Sequence, residues 1–334
     1  GMGSTRVVSL AWPPWNDTEM VRSIPEAVRT AMARSGVTFL DADEGLAIFD
    51  EAFLGDRSGL QLVGRAMPER EVASRARRTF DVARHGWLED HALKGRPVVP
   101  MAVVLDWAAS VATAASGQDG VALEDFELVR GVMGDETAEL SLVGKLVDGQ
   151  LHGSIEVEVI DGEQRHTAYR ARVAPRTAGV ARVEPKGARR DASMPLDRFY
   201  ADFTFHGPRL RGIVEATVHE DGATGRVRGV ERSEWFEDQG AWAIDPLALD
   251  SAFQVAGYWT SMMLGRTGFP IKVGRLELVR PITGEVGAQL VMGSHEDDRF
   301  SGDLSLTDAS GAVVARLTSL EGRFTEVRAA ASTG

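Results

Sequence analysis

The pattern of apolar and polar residues changes near residue 66 of the chain. Before this point, short apolar runs alternate with amphipathic helical patterns. Strands are predicted at 6–12 and 59–63, and helices at 25–34 and 43–54. Because the order strand, helix, helix, strand is typical of an α/β protein, the first 65 residues are predicted to form a short α/β segment.

After residue 66, most apolar residues alternate with polar ones, as they do in half-buried strands. Alternating segments occur at 138–145, 153–160 and 167–173, and turn signals at 148–149, 161–162 and 308–311. These turns are rich in Asp and Gly, which favour hairpins. This part of the chain is therefore predicted to be mostly antiparallel sheet.

Two long, almost wholly apolar stretches interrupt this sheet pattern, at 101–115 and 246–264. Their length and composition predict buried helices, and each is followed by alternating strands. The region is thus predicted to be a structural repeat, with halves at 66–176 and 195–330. Residues 177–194, rich in Arg, Ala and Gly and without periodicity, are predicted to be the linker.

The composition of the chain argues against several classes of partner and chemistry. The chain has 334 residues, 49 acidic against 37 basic side chains and no cysteine. The acidic balance argues against a nucleic-acid partner, and the missing cysteine excludes disulfides and thiolate nucleophiles. No apolar run is long enough to predict a membrane span, and the N-terminus has no secretory signal. Cytoplasm is the expected location.

A histidine motif lies directly before the first long helix, at His91, Gly95 and Pro100. Gly95 allows a ligand to approach the backbone closely, and the helix beginning near Pro100 offers free N–H groups and the positive end of its dipole. These features would supply a base and a place to stabilise an enolate-like oxygen. The alternative is a structural histidine in a turn, the commoner outcome for an isolated motif.

A carboxylate lies inside the second apolar helix, at Asp250, with Gln254 one turn later on the same face. Burial is expected to raise the pKa of Asp250 toward neutrality, which suits a general acid. A carboxylate at an exposed helix edge is the alternative. Five further histidines lack metal-ligand spacing and are predicted to be solvated, at positions 85, 152, 166, 219 and 295.

Together these features resemble the dehydratase domain of polyketide and polyunsaturated-fatty-acid synthases, over about residues 66–327. The family's first motif, H-x-x-x-G-x-x-x-x-P, and its W-L-x-D-H element both contain His91. The second-half motif D-x-x-x-Q/H corresponds to Asp250 and Gln254. The matching residues are Trp87, Leu88, Asp90, His91, Gly95, Pro100, Asp250 and Gln254.

The resemblance implies an α+β double hot-dog fold, in which a curved antiparallel sheet wraps two long helices and the active site lies between the halves. It implies 3-hydroxyacyl thioester substrates on the phosphopantetheine arm of an acyl carrier protein, with no cofactor or metal of the chain's own. His91 would remove the α-proton and Asp250 would assist departure of the β-hydroxyl. Gln254 would orient Asp250, and the Gly95 N–H and the N-terminus of the first long helix would stabilise the thioester oxygen. Expected partners are the carrier protein, adjoining synthase domains and a second copy in a homodimer.

The sequence departs from the family in two places. The family's Y-G-P-x-F segment has His206 in place of Tyr and Leu210 in place of Phe. His206 would still be able to donate a hydrogen bond near the site, or it belongs to a structural turn. The histidine of the family's H-P-A-L-L-D segment is Asp245.

The first 65 residues resemble the C-terminal tail of a ketoreductase domain, with Val8–Trp15 as its late strand and loop. No G-x-G-x-x-G motif occurs there, so no nicotinamide site is predicted. A ketoreductase before a dehydratase resembles the order in iterative and polyunsaturated-fatty-acid synthases.

The leading hypothesis is a catalytic dehydratase domain of such a synthase. A non-catalytic dehydratase-like domain that scaffolds the assembly or binds carrier protein is the alternative, and a hot-dog thioesterase or isomerase is a third. The dehydratase hypothesis predicts that His91 and Asp250 face one cleft within about 8 Å. Arginines at 209, 211, 226 and 228 are candidates for docking an acidic carrier protein.

Overall fold

In the computed structural model, the described residues of the N-terminal unit (1–70 with 147–149) form a parallel pair of strands and three helices. Across the whole chain the structure describes residues 8–34, 37, 39–54, 59–62, 70–118, 120–147, 150–177, 179–190, 194–237 and 241–325. The elements of this unit are β1 (Val8–Ala11), α1 (Glu19–Arg22), α2 (Glu26–Arg34), α3 (Ala42–Leu54) and β2 (Gly59–Leu62).

Strand β1 pairs in parallel with β2, and the helices form the crossover that a parallel pair requires. The predicted order strand, helix, helix, strand is confirmed, with α1 as an additional short helix. Residues 1–7, 35, 36, 38, 55–58 and 63–65 of this predicted segment lie outside the described residues. The likeness of the segment to a ketoreductase tail stays a prediction.

The second unit, residues 71–146 with 150–334, begins with a half built around one apolar helix. Its elements are β3 (Arg70–Thr79), a 3-10 helix (Gly86–Asp90), β4 (Ala92–Leu93), β5 (Arg96–Pro97), α4 (Met101–Ser116), β6 (Ala122–Leu128), β7 (Thr137–Val147), β8 (Gln150–Asp161) and β9 (Gln164–Ala174). Helix α4 is buried over most of its length because nearly all its residues are apolar. The predicted helix at 101–115 and the three strands are confirmed.

The second half repeats this arrangement around another apolar helix. Its elements are α5 (Leu196–Asp202), a 3-10 helix (Pro208–Leu210), β10 (Ile213–His219), β11 (Gly222–Val227), α6 (Arg232–Trp235), α7 (Pro246–Leu264), β12 (Thr267–Leu278), β13 (Val286–His295), β14 (Arg299–Thr307) and β15 (Val313–Thr325). Helix α7 is buried from its first residue to Ser261. The predicted helix at 246–264 is confirmed.

The two halves share one sheet. Among the described residues it has eleven strands in the order β10-β11-β13-β14-β15-β12-β6-β9-β8-β7-β3. The halves join where β12 pairs antiparallel with β6, with Val273 opposite Phe126. Both long helices pack in the hydrophobic core of this sheet. The predicted structural repeat is therefore confirmed, and residues 179–190 of the linker contain neither helix nor named strand. No described helix combines the length and apolar character that crossing a membrane requires.

Candidate active site

Two loops, one from each half, meet through their backbones at the site. His91 follows the first 3-10 helix and forms an antiparallel bridge with His206, which follows α5. The N–H of Gly207 donates to the Asp90 carbonyl at 2.7 Å, and the N–H of Arg209 donates to the Asp90 carboxylate at 2.9 Å. A Cβ atom on Gly207 would lie 2.2 Å from Asp90 Oδ1, so this approach requires glycine.

The imidazole of His91 is buried and held in one orientation. Its Nδ1 lies 2.6 Å from the carbonyl oxygen of Val98. Because a carbonyl only accepts, Nδ1 carries the hydrogen, and Nε2 keeps a free lone pair. Burial lowers the pKa of His91 to about 4, against the opposing attraction of the Asp250 carboxylate. A neutral ring with a free Nε2 can accept a proton.

The carboxyl of Asp250 is also buried, on the cavity side of α7. Its Oδ2 lies 3.1 Å from His206 Nε2 and accepts the amide N–H of Gln254 at 2.8 Å. Burial alone would raise the pKa of Asp250, but His206, His91 and the Gln254 amide outweigh it and lower the pKa. The expected rise in this pKa is therefore wrong.

A hydrogen-bond network fixes the Gln254 amide. Its Nε2 donates to the Leu210 carbonyl as well as to Asp250, at 2.8 Å in both cases. Its Oε1 accepts from the Tyr200 hydroxyl at 2.8 Å, and that hydroxyl accepts the N–H of Ile213 at 3.1 Å. Sequence reasoning did not identify Tyr200. The only signal that could have found it was that the chain has just three tyrosines.

His206 lies in the site itself. Its side chain is buried, its ring stacks on Phe205 at 4.5 Å between centroids, and its Nδ1 contacts the Thr204 hydroxyl. The centroids of the His206 and His91 rings are 5.2 Å apart. No sequence pattern pointed to Thr204, because its contact with His206 depends on how this loop folds back.

Two supporting residues occupy the hairpin that precedes α4. Gly95, with Lys94, makes the tight β4–β5 turn at a φ of +75°, and it is not among the residues that line the cavity. Its position explains the need for glycine but does not support the expected N–H contact with a substrate oxygen. Pro100 is the N-cap of α4, and Met101, the first helical residue, lines the cavity. The helix N-terminus is thus the nearer source of N–H groups.

The site opens into a cavity of about 440 Å³ between the two halves. His91, His206 and Asp250 form its polar end. The rest of the wall is mainly apolar and includes Leu93, Val98, Met101, Phe205, Phe253 and Phe269. This volume and lining are typical of a site for a small, largely apolar ligand.

The same polar end is the place where a metal ion would find donors. One donor atom from each of His91, His206 and Asp250 lies within 4.8 Å of the other two. This separation is within the predicted limit for two groups that act on one substrate. The donor atoms already have partners in the protein, since Asp250 Oδ2 pairs with His206 Nε2 at 3.1 Å and His91 Nδ1 bonds to the Val98 carbonyl. We therefore interpret the three side chains as an acid–base group.

The surface residues predicted from the sequence differ in their surroundings. His85 and His219 are half-buried, so the prediction of a solvated histidine is wrong at both positions. The His85 ring lies 5.3 Å from that of Phe236, and His219 Nδ1 lies 3.3 Å from the Gly187 carbonyl oxygen. Among the candidate docking arginines, Arg226 pairs with Glu215 and Glu285. The other three, at 209, 211 and 228, donate to backbone carbonyls around the His206 loop.

Two models of known protein families match the chain and identify its family. A model described as "Polyketide synthase dehydratase domain" matches residues 61–162. Another, described as "Polyketide synthase dehydratase N-terminal domain", matches residues 178–332. The chain therefore belongs to the polyketide synthase dehydratase family, and it is a dehydratase domain of the polyketide or polyunsaturated-fatty-acid synthase type.

An individual relative agrees with this assignment. A polyunsaturated fatty acid synthase polypeptide of Thraustochytrium sp. (strain ATCC 26185 / S-3) is 25% identical over 294 residues, which are 83% of this chain and 10% of that protein. The chain thus spans about a tenth of the length of this relative.

Solved structures show the fold. The dehydratase domain from the CurJ module of curacin polyketide synthase has a TM-score of 0.62 at 16% identity, covering 79% of this chain and 97% of that domain. The CurF dehydratase has a TM-score of 0.60 at 16% identity, covering 79% and 96%. An inactive histidine-to-phenylalanine mutant of the CurK dehydratase has a TM-score of 0.60 at 15% identity, with the same coverage. The predicted double hot-dog fold is confirmed.

Proposed function

We propose that this domain removes water from 3-hydroxyacyl thioesters carried by an acyl carrier protein and releases 2-enoyl thioesters. The observation that carries the proposal is the pairing of His91 and Asp250, one from each half, at the polar end of an apolar cavity. The apolar wall suits an acyl chain. The polar end is suited to the α- and β-carbons of the acyl group, where the reaction takes place.

His91 is the general base. Its Nε2 takes the proton from the α-carbon, while the Val98 carbonyl holds the ring through Nδ1. Removing this proton places negative charge on the thioester oxygen. The first N–H groups of a helix have no intrahelical partners, so the N-terminus of α4 at Met101 is suited to stabilise that oxygen.

Asp250 lies on the side of the leaving group. As the bond between the β-carbon and its hydroxyl breaks, the oxygen needs a proton to leave as water. The Gln254 amide keeps the carboxyl in place, and Tyr200 keeps the amide in place. The electron pair of the broken C–H bond becomes the new double bond. Only protons and water move, so the proposed mechanism requires neither a redox cofactor nor a metal.

The proposed partners are an acyl carrier protein, the adjoining synthase domains and a second copy in a homodimer. Arginines 209, 211 and 228 support the first of these, since all three are exposed around the His206 loop. Within the described part of the chain, none of the three pairs with a carboxylate. Such a patch would attract an acidic carrier protein despite the net charge of −12.

The function is tested by incubating the whole chain with a panel of 3-hydroxyacyl carrier-protein thioesters and following loss of water by mass spectrometry. We expect conversion by the wild type and at least a 100-fold lower rate for His91→Phe and for Asp250→Asn, since acid–base groups contribute about 10²–10⁴-fold. His166→Phe, at an exposed position on β9, is the matched control. Carrier-protein binding without water loss on any chain length would favour the non-catalytic scaffold.

A further inference from the structure

We propose that His206 stores the proton that the leaving hydroxyl receives, so that the acid of this site is the His206–Asp250 pair. This inference rests on the proposed dehydration. It assigns a proton-carrying role to the residue that stands where the resembling family has tyrosine.

The geometry couples the two side chains directly. His206 Nε2 lies 3.1 Å from Asp250 Oδ2, and His206 and Asp250 are only 7% and 6% exposed. The backbone bridge to His91 and the stacked ring of Phe205 hold His206 in this position. A proton on Nε2 is therefore shared with the carboxylate and shielded from solvent.

Thr204 accommodates both charge states of the His206 ring. Its hydroxyl contacts Nδ1 and accepts the backbone N–H of His206 at 3.2 Å. A hydroxyl has one donor hydrogen and two acceptor lone pairs. It can therefore accept from Nδ1–H of the charged ring and still accept from Nδ1–H after the Nε2 proton has passed to Asp250, while its other lone pair holds the backbone N–H. Neither state leaves a buried nitrogen without a partner.

The chemistry needs such a store because Asp250 is a poor acid by itself. Burial acts to raise its pKa, but the neighbouring groups prevail and lower it, so the carboxyl is ionised at neutral pH. The groups facing the pair are His91 from the first half, Gln254 from α7, Tyr200, whose pKa burial raises to about 12, and Arg211, whose Nε donates to the His206 carbonyl at 3.2 Å. His91 cannot supply the proton, because burial lowers its pKa to about 4 and leaves the ring neutral, ready to act as the base.

The proton movements balance. The Nε2 proton of His206 passes to Asp250 Oδ2, and a proton passes from Asp250 to the β-hydroxyl as the C–O bond breaks and water leaves. His91 Nε2 takes the α-proton, and the electrons of that C–H bond form the double bond. After product release, a water can return the proton from His91 to the His206–Asp250 pair, since the two rings are 5.2 Å apart.

The decisive variant is His206→Gln, because glutamine can still donate an N–H to Asp250 but cannot carry an exchangeable proton. We measure kcat and KM for a 3-hydroxyacyl carrier-protein thioester between about pH 6 and pH 8. For the wild type we expect kcat to depend less steeply on pH than in the variant. For the variant we expect about a 100-fold lower kcat at the upper end, declining about tenfold per pH unit, with KM little changed. Only the protonated fraction of Asp250 can then act.

Two further variants complete the test. His219→Gln is the matched control, because its ring contacts the Gly187 carbonyl away from the cavity, and it should keep the wild-type profile. Thr204→Val removes the partner of Nδ1 and should make kcat depend more steeply on pH than in the wild type. It also serves as the test if His206→Gln fails to fold by circular dichroism.

Parallel pH profiles for wild type and His206→Gln would overturn the inference, whatever the difference in level, because His206 would then only position Asp250. If His206→Gln does not fold, a wild-type profile for Thr204→Val would overturn it in the same way. A wild type that releases no water would instead contradict the proposed function. The two failures are thus distinguishable.

Discussion

The amide of Gln254 serves several partners at once, and its orientation decides whether Asp250 receives a donor. Its Nε2 bonds to Asp250 and Leu210, while Oε1 accepts from Tyr200. If the amide turned over, its oxygen would face the carboxylate. The Tyr200 hydroxyl, itself held by the N–H of Ile213, prevents this by offering its hydrogen only to Oε1.

Tyr200→Phe should therefore lower kcat about tenfold while leaving KM nearly unchanged. Losing one buried hydrogen bond costs about 1–3 kcal/mol. Without it the Gln254 amide is no longer held in one orientation, and kcat falls because Asp250 loses part of its support. Steady-state kinetics on a carrier-protein thioester measures the effect. The control is Tyr258→Phe, which removes a hydroxyl bonded to the Met194 carbonyl at 2.6 Å, outside the Gln254 network. Equal kcat for both variants would contradict the role given to Tyr200.

At the residue scale, the sequence predicted the residues that short spacings along the chain identify. Asp250 and Gln254 are one helical turn apart, and His91 precedes a helix, so motif and periodicity sufficed. The direction of the Asp250 pKa was predicted wrongly because it depends on His206, 44 residues away in sequence and 3.1 Å away in space. Thr204 and Tyr200 were missed for the same reason.

At the scale of elements, the 3-10 helix before His91 holds the loop that carries His206. Asp90 ends that helix, and its carbonyl and carboxylate bind the N–H groups of Gly207 and Arg209. The Arg209 side chain returns to the Gly86 carbonyl at 2.6 Å. The two short 3-10 segments thus set the distance between His91 and His206.

Gly207→Ala should open this contact. Its new Cβ would lie within 2.2 Å of Asp90 Oδ1, and relieving such a clash costs about 1–3 kcal/mol of unfolding free energy. Because the His206 loop must move, kcat should fall as well. Urea denaturation and steady-state kinetics measure the two effects.

Gly162→Ala is the control for backbone strain, since Gly162 has a φ of +60° in a hairpin turn with open space around it. It should lower stability without lowering kcat. A Gly207→Ala variant with wild-type kcat would show that the loop contact does not position the site.

Elements were predicted well where one physical cause dominates. Unbroken apolar runs predicted α4 and α7 almost to the residue, and alternation predicted β7, β8 and β9. Gly95 was placed beside the substrate, whereas its positive φ belongs to the β4–β5 turn. The motif alone does not distinguish a glycine needed for a turn from one needed for ligand approach.

At the scale of the whole molecule, Asp106 ties the two halves together. It lies fully buried in α4, and its Oδ1 accepts the N–H groups of Ala243 and Ile244, just before α7, at 3.0 and 2.9 Å. Burial raises the pKa of Asp106 to about 6, although these N–H groups and the guanidinium of Arg232 oppose the rise. The folded state therefore binds this proton more tightly than the unfolded state.

Asp106→Asn should change how stability depends on pH. Because the folded pKa lies above the ordinary value of 3.8, the contribution of Asp106 is fully present below that pH and is lost as pH rises through about 6. The asparagine variant keeps the Oδ1 acceptor but does not titrate. Its free energy of unfolding should therefore rise by about 3 kcal/mol relative to that of the wild type over this interval. Chemical denaturation at several pH values from about 4 to 8 measures the difference.

Asp221→Asn provides an opposite control. Partial burial would raise the pKa of Asp221, but bonds from the N–H groups of Lys186 and Gly187 prevail and lower it. The free energy of unfolding of this variant should fall relative to that of the wild type as pH rises through the acidic range. An Asp106→Asn difference that does not vary with pH would contradict the coupling between burial and charge.

The overall repeat was predictable because each half repeats the same pattern of one apolar helix followed by alternating strands. The order of strands was not, since the junction of β12 with β6 joins segments about 150 residues apart. The proposed boundaries at 65, 176 and 194 remain predictions.

Loss of one water from 3-hydroxyacyl carrier-protein thioesters, followed by mass spectrometry, decides whether His91 and Asp250 carry out dehydration. Wild type, His91→Phe, Asp250→Asn and His166→Phe are compared on the same substrates. We predict 2-enoyl product from the wild type and His166→Phe, with at least a 100-fold lower rate for the other two variants. Water loss by His91→Phe at the wild-type rate would contradict the assignment of His91 as the base.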